Sequence, residues 1–352
     1  MTAVTVIRIE PRPACPVCGG PGATHYRRLN DAVWGVPGTW NLAQCADRQC
    51  RMLWLDPMPL EEDIGLAYQR YQTHTVASAG PPSGLRQLFR RAKRAYLGKR
   101  FRYPAEDFTL AERVLGVLIG ISPQHRARVE SSAFHLPGGT RGRLLDVGCG
   151  AGDGIVRMRA LGWEAEGVDF DARAVEAARG LGLTVACGSL IAQRYAAGSF
   201  SAVVMTHVIE HVYGLKADLG ECFRVLEPGG RLVIETPNAS SWLHGRFEAN
   251  WRGLEPPRHI QVFTRAALGR LARDCGFEVE DLSTTAKAAS FFFGASNALA
   301  RARQQGTASE DRFGLLTQLL GDAIAACEAG LLMANADLGE ELVLVARKPV
   351  TA

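Results

Sequence analysis

From Arg143 onward the apolar positions follow two alternating rhythms. Short β-branched runs, "RLLDV", "WEAEGVDF", "LTVACG", "SAVVMT", "RLVIET" and "FEVEDLS", have the length and composition of strands. Between them "DGIVRMRALG", "DARAVEAARGLG", "LKADLGECFRVL" and "TRAALGRLARDCG" repeat apolar residues at helical spacing, with Asp171 placed as an N-cap. Strands alternating with helices predict an α/β domain whose parallel sheet is covered on both faces. Ligands of such sheets bind beyond the carboxyl ends of the strands, at the point where the strand order reverses. A helical stretch and a last strand, "ELVLVARK", complete the chain. The expected division is residues 1–56, a mainly helical region 57–136 broken by "SAGPPSG", and an α/β domain 137–352 with a helical insertion at about 287–338.

The first strand runs into "LLDVGCGAGDG", which sets Asp146 before Gly148, Gly150 and Gly152. Glycines there let the backbone turn sharply and approach a ligand. The spacing is G-x-G-x-G, not the G-x-G-x-x-G of dinucleotide sites. Asp169 ends the second strand, where a carboxylate can accept both hydroxyls of a ribose. "LLDVGCGAG", "GVDFD", "SFSAVVMTHVIEHV" and "LEPGGRLVIETPN" together resemble the ordered motifs of class I S-adenosylmethionine-dependent methyltransferases, closest to the ubiquinone-type O-methyltransferase branch. The resemblance covers about residues 141–286 and the last strand. It implies a Rossmann-like, mostly parallel seven-stranded sheet with its last strand antiparallel. It also implies that the glycine loop receives the methionine part of S-adenosylmethionine, that Asp169 holds ribose, that Ser189 and Leu190 flank adenine, and that His207 lies beside the methionine moiety.

"THVIEHV" contains H-x-x-E-H (His207, Glu210, His211), the pattern of inverted zinc proteases. That chemistry needs both histidines on one long helix; here a strand leads in and Gly214 follows almost at once. Some ubiquinone-type relatives bind a divalent ion through E-x-x-E-H at this place, and this chain has His207 where the first Glu would stand. Methyl transfer to a hydroxyl needs a base, and histidine suits that near neutral pH. The candidates are His211 and His259, the latter in "WRGLEPPRHIQVFT". The same loop carries Arg246, Arg252 and Arg258, which could meet a phosphate or carboxylate on an acceptor. An N/D-P-P-Y/F motif after the fourth strand is absent, which favours oxygen or carbon acceptors over base or glutamine nitrogens.

"CPVCGG" and "CADRQC" pair Cys15 with Cys18 and Cys45 with Cys50, a set able to close a tetrahedral zinc site. The head resembles the zinc-ribbon start of many bacterial methyltransferases. With five further cysteines scattered, no disulfide framework is expected, and the reading is a reducing, cytoplasmic setting. The first residues lack a signal-peptide core, and no apolar run is expected to span a bilayer. A net charge of +4 does not call for nucleic acid as partner. The positive charge is concentrated in "GLRQLFRRAKRAYLGKRFRY", where Leu85, Leu88, Phe89, Ala92 and Tyr96 share one helical face. Residues 84–102 are thus a candidate peripheral membrane contact at the inner membrane face, against a plain solvated helix on the core. The expected activity is methyl transfer to a small-molecule or carrier-linked acceptor such as a glycan, sugar nucleotide or lipid-linked intermediate. An RNA methyltransferase with a zinc knuckle and a non-catalytic binding protein are the alternatives.

Overall fold

The computed structural model describes residues 7–68, 84–104, 107–309 and 314–350; all of the "SAGPPSG" break before Gly84, and Glu106, fall outside them. The head comprises β1 (Ile9–Glu10), β2 (Gly22–Leu29), β3 (Trp40–Cys45), β4 (Leu53–Leu55) and β5 (Met58–Pro59). A 3-10 turn at Ile64–Tyr68 follows. Next come α1 (Gly84–Phe101), α2 (Leu110–Ile121) and α3 (Pro123–Ser132). A capping box starts α2, with Thr109 accepting from the Glu112 amide and Glu112 from that of Thr109.

The α/β domain runs β6 (Arg143–Val147), α4 (Asp153–Ala160), β7 (Glu164–Asp169), α5 (Ala172–Gly180), β8 (Val185–Cys187), β9 (Phe200–Thr206), α6 (Leu215–Val225) and β10 (Leu226–Pro237). It continues through α7 (Trp242–Phe247), β11 (Gln261–Val262), α8 (Arg265–Asp274), β12 (Glu278–Thr285), α9 (Ala289–Gln305), α10 (Leu315–Ala334) and β13 (Glu341–Arg347). Asp171 caps α5 by accepting from the Arg173 amide.

Seven strands form one sheet in the order β12-β13-β10-β9-β6-β7-β8. The run from β10 to β8 is parallel, and β13 lies antiparallel between β10 and β12. The strand order reverses between β6 and β9, so the loops after those two strands flank the crevice. Val203, Val204 and Met205 of β9 are buried on both faces, as a covered parallel strand requires.

A second sheet, β11-β4-β3-β2, joins the head to the loop after β10. Gln261 and Val262 pair with Trp54 and Leu53, and the Leu55 amide donates to the Ile260 carbonyl at 2.9 Å. Trp54 and Leu55 share one buried cluster with Ile260, Phe263 and Leu268. Among the described residues α10 is the one helix long and apolar enough to cross a membrane by length and composition, which sequence reading did not anticipate. It packs on α9 through Ala325 and Ala329 and buries Glu328 within the fold.

Candidate functional site

The turn after β6 puts Gly148, Gly150 and Gly152 at φ +71°, +53° and +89°. At Gly148 a Cβ would stand 2.3 Å from Val208, so the glycine loop and the β9 turn touch where only a bare backbone fits. The Gly150 amide donates to Asp169 Oδ2 at 2.8 Å, and the Asp171 amide donates to Oδ1 at 2.8 Å. Asp146 is buried under the first turn of α4; burial pushes its carboxyl up to about 7, with Arg157 opposing and Asp169 adding to the rise. Ser189 is exposed and accepts from the Ala192 amide at 3.3 Å, while Leu190 beside it is buried.

Opposite the glycine loop, β9 ends at Thr206 and His207 turns the chain at φ +54°. A 3-10 turn at Ile209–His211 follows. No long helix carries the H-x-x-E-H pattern, so the geometry of an inverted zinc protease is missing. His207 is 41% exposed and reaches two buried carboxylates: Nε2 to Glu341 at 2.8 Å and Nδ1 to Glu210 at 3.4 Å. Desolvation works against its charge, but those bonds win and raise its pKa to about 10. Desolvation also works against the charge of Glu210, yet His207, His211 and His259 around it hold it down to about 2. Thr236 Oγ1 donates to its Oε2 at 2.9 Å.

The loop after β10 folds onto this turn. The Ile260 amide donates to the Glu210 carbonyl, and Gln261 Nε2 donates to the carbonyls of Ile209 and Val212. His211 and His259 therefore meet edge to face, with ring centroids 4.8 Å apart. His211 Nδ1 lies 2.8 Å from the Arg258 carbonyl, and His259 Nδ1 lies 2.8 Å from that of Gly253. A carbonyl only accepts, so both Nδ1 atoms carry hydrogen, and in a neutral ring so held the lone pair is on Nε2. Tyr68 also reaches His211 Nδ1, at 2.9 Å. Burial pushes His259 down to about 4, with Glu255 only partly offsetting it.

In the head, Cys15 and Cys50 sulfurs lie 3.7 Å apart and those of Cys18 and Cys45 3.3 Å apart. All four lie within 4.8 Å of one another, and none forms a disulfide. The Cys50 thiol, as hydrogen-bond donor, draws Cys15 down to about 5 and is itself pushed upward. Four clustered thiols, with the Gly20 amide donating to Cys18, fit a tetrahedral metal and leave no protein-side position open for catalysis.

A family model described as a methyltransferase domain matches residues 124–282. Those residues are a methyltransferase domain. The chain is 33% identical over 140 residues to a probable S-adenosylmethionine-dependent methyltransferase of Mycolicibacterium smegmatis, covering 39% of this chain and 52% of that protein. It is 31% identical over 154 residues to the ubiquinone biosynthesis O-methyltransferase of Thiobacillus denitrificans, covering 40% of this chain and 66% of that protein. The chain thus spans less than two thirds of the length of both relatives. A solved SAM-dependent methyltransferase from Archaeoglobus fulgidus covers 64% of this chain and 92% of its own, at 19% identity and TM-score 0.41.

Within the methyltransferase domain the glycine loop and Asp169 meet as their spacing suggested, and His211 and His259 form one cluster with Glu210. One ligand atom from each of these three lies within 4.8 Å of the others, so the trio is also able to hold a cation. Two of the three loop arginines behave otherwise than expected, while Arg246 is exposed. Arg258 is fully buried between Asp31 (2.9 Å) and Glu255 (2.8 Å), and Arg252 is buried against Glu255. Both are internal props, because carboxylates from the head and the loop neutralise them. Sequence reasoning missed Tyr68 and a chain of buried charges. From His207 it runs through Glu341 to Lys287, then to Glu235, whose Oε1 meets His135 Nε2 at 3.1 Å. Glu235 and Glu341 interrupt "RLVIET" and open "ELVLVARK" at the same sheet edge, which was the available signal.

Proposed function

We propose that the chain moves a methyl group from S-adenosylmethionine to a hydroxyl oxygen of a small or carrier-linked metabolite, a carbon acceptor being the variant of the same reaction. The observation that carries the reading is the facing of two half-sites across one crevice. On one side are Asp169 and the glycine loop; on the other is His211, with Nδ1 tied to a backbone carbonyl and Nε2 able to take a proton. The sulfonium makes the methyl electrophilic, so the protein has to align the acceptor and accept its proton. His211 is half-buried and suits the base; His259, deeper and held neutral, orients the ring it meets. The name of the Thiobacillus relative supports an oxygen acceptor. Asp146, Ser189, Leu190 and His207 are assigned to the donor side, and Cys15, Cys18, Cys45 and Cys50 to a structural zinc ion.

The test is incubation of the purified protein with methyl-labelled donor and fractions of hydroxylated lipids, glycans and sugar nucleotides. Label in an alkali-stable ether supports oxygen transfer; label on carbon selects the variant. Saturable donor binding with no transfer to any fraction would sink the enzyme reading, and ribonuclease-sensitive product would replace the acceptor class with RNA.

A further inference from the structure

Helices are usually apolar toward the core and polar toward water. Two helices here are apolar outward. On α2, Leu110, Val114, Val117, Leu118 and Ile121 form an exposed stripe, with Leu110 79% and Ile121 70% exposed. Arg113 is the one charged side chain on its exposed face, since Glu112 is buried against Arg91. On α10, Leu315, Leu316, Leu319 and Leu320 are exposed over the first two turns. At the start of α1, Leu85 and Phe89 are also uncovered, so the apolar face read from the sequence reaches the core only from Ala92 onward. The third helix, α3, packs against α1, α2 and α10, which makes the four one group.

Charge decides what covers them. Arg86, Arg90, Lys93 and Arg94 of α1 and Arg126 and Arg128 of α3 are exposed, while Asp322 is the one exposed carboxylate on the four helices. A second copy of the chain would bring this excess of cations against itself, which costs energy at close range. An anionic surface gains from the same cations, and aliphatic side chains between them gain by leaving water. We infer that α1, α2 and α10 form a docking face for a bilayer rich in anionic lipid. The face lies outside the methyl-transfer site and stands independently of that reading.

Flotation of the full-length protein with vesicles tests it. The protein floats with phosphatidylcholine–phosphatidylglycerol vesicles and stays behind with phosphatidylcholine alone. Val114→Glu with Leu118→Glu, both at exposed positions, lowers the bound fraction at least about tenfold with an unchanged melting curve. Arg86→Gln with Arg90→Gln weakens binding, as does raised salt. Three results would overturn the inference. One is wild-type protein that ignores anionic vesicles. Another is binding that survives the two glutamates, which would make it charge alone. The third is a wild-type dimer in light scattering that the glutamates dissociate, which would assign the face to a second copy.

Discussion

The two halves of the crevice are built by different means. On that reading the donor half is made of backbone and one carboxylate from a short stretch: the Gly150 amide donates a hydrogen bond to Asp169 Oδ2. The acceptor half is assembled from Tyr68, Glu210, His211, Arg258 and His259, held together by side chains and by carbonyls far apart in sequence. Local geometry suffices to cradle a constant donor. On the proposed function, the base that has to meet a particular acceptor would be held by distant supports, including the head.

If that contrast is right, substitutions in the acceptor half should cost turnover or stability, and those in the donor half should cost donor affinity. The largest effect is expected at His211: His211→Ala should lower kcat by about 10²–10⁴ with donor affinity kept, measured by single turnover beside calorimetry. Equal losses in both would make it a scaffold. Asp31→Ala should follow, because it takes one of two carboxylates from the buried Arg258 guanidinium, leaving Glu255, and frees three amides that Asp31 accepts from; about 3 kcal/mol of stability should be lost in urea unfolding. A loss below 1 kcal/mol would detach the head from the histidine loop.

His259 gives a pH test. Its folded pKa of about 4 lies below the ordinary value near 6.5, so the unfolded chain binds the proton first as pH falls. Its contribution is a destabilisation that develops from pH 6.5 down to 4 and then levels off, on the order of 3 kcal/mol in all. His259→Gln should flatten that part of the stability curve. An unchanged slope would show that the proton goes elsewhere. The smallest effect belongs to the donor half: Asp169→Ala should weaken S-adenosylmethionine binding by about tenfold with no change in melting temperature beyond a few degrees. Unchanged affinity would remove Asp169 from the donor site.

The same contrast explains what the sequence disclosed. The alternation from Arg143 onward and the G-x-G-x-G turn rest on neighbours in the chain, so strands, helices, the sheet and the pairing of loop with Asp169 were readable. The meeting of His211 with His259 depends on Ile260 reaching Glu210, a contact between residues fifty apart. Arg252 and Arg258 looked like ligand contacts although Glu255 stands three residues from each; Asp31, the second partner of Arg258, meets it only when the head folds against the loop. The outward leucines of α2 were invisible for a related reason: a periodic apolar face reads the same whether a core or something else covers it.

The two residues of β11 limit how the chain can be rearranged. Because Gln261 and Val262 complete the head's sheet, the head is not a cartridge that can be cut at residue 56 and exchanged. Removing it would bare the edge of β11 and the flanks of Trp251 and Ile260 together, and a foreign head would have to accept a strand from its host. Engineering of acceptor choice in this scaffold therefore has to exchange residues 7–68 and the loop 238–264 as one piece.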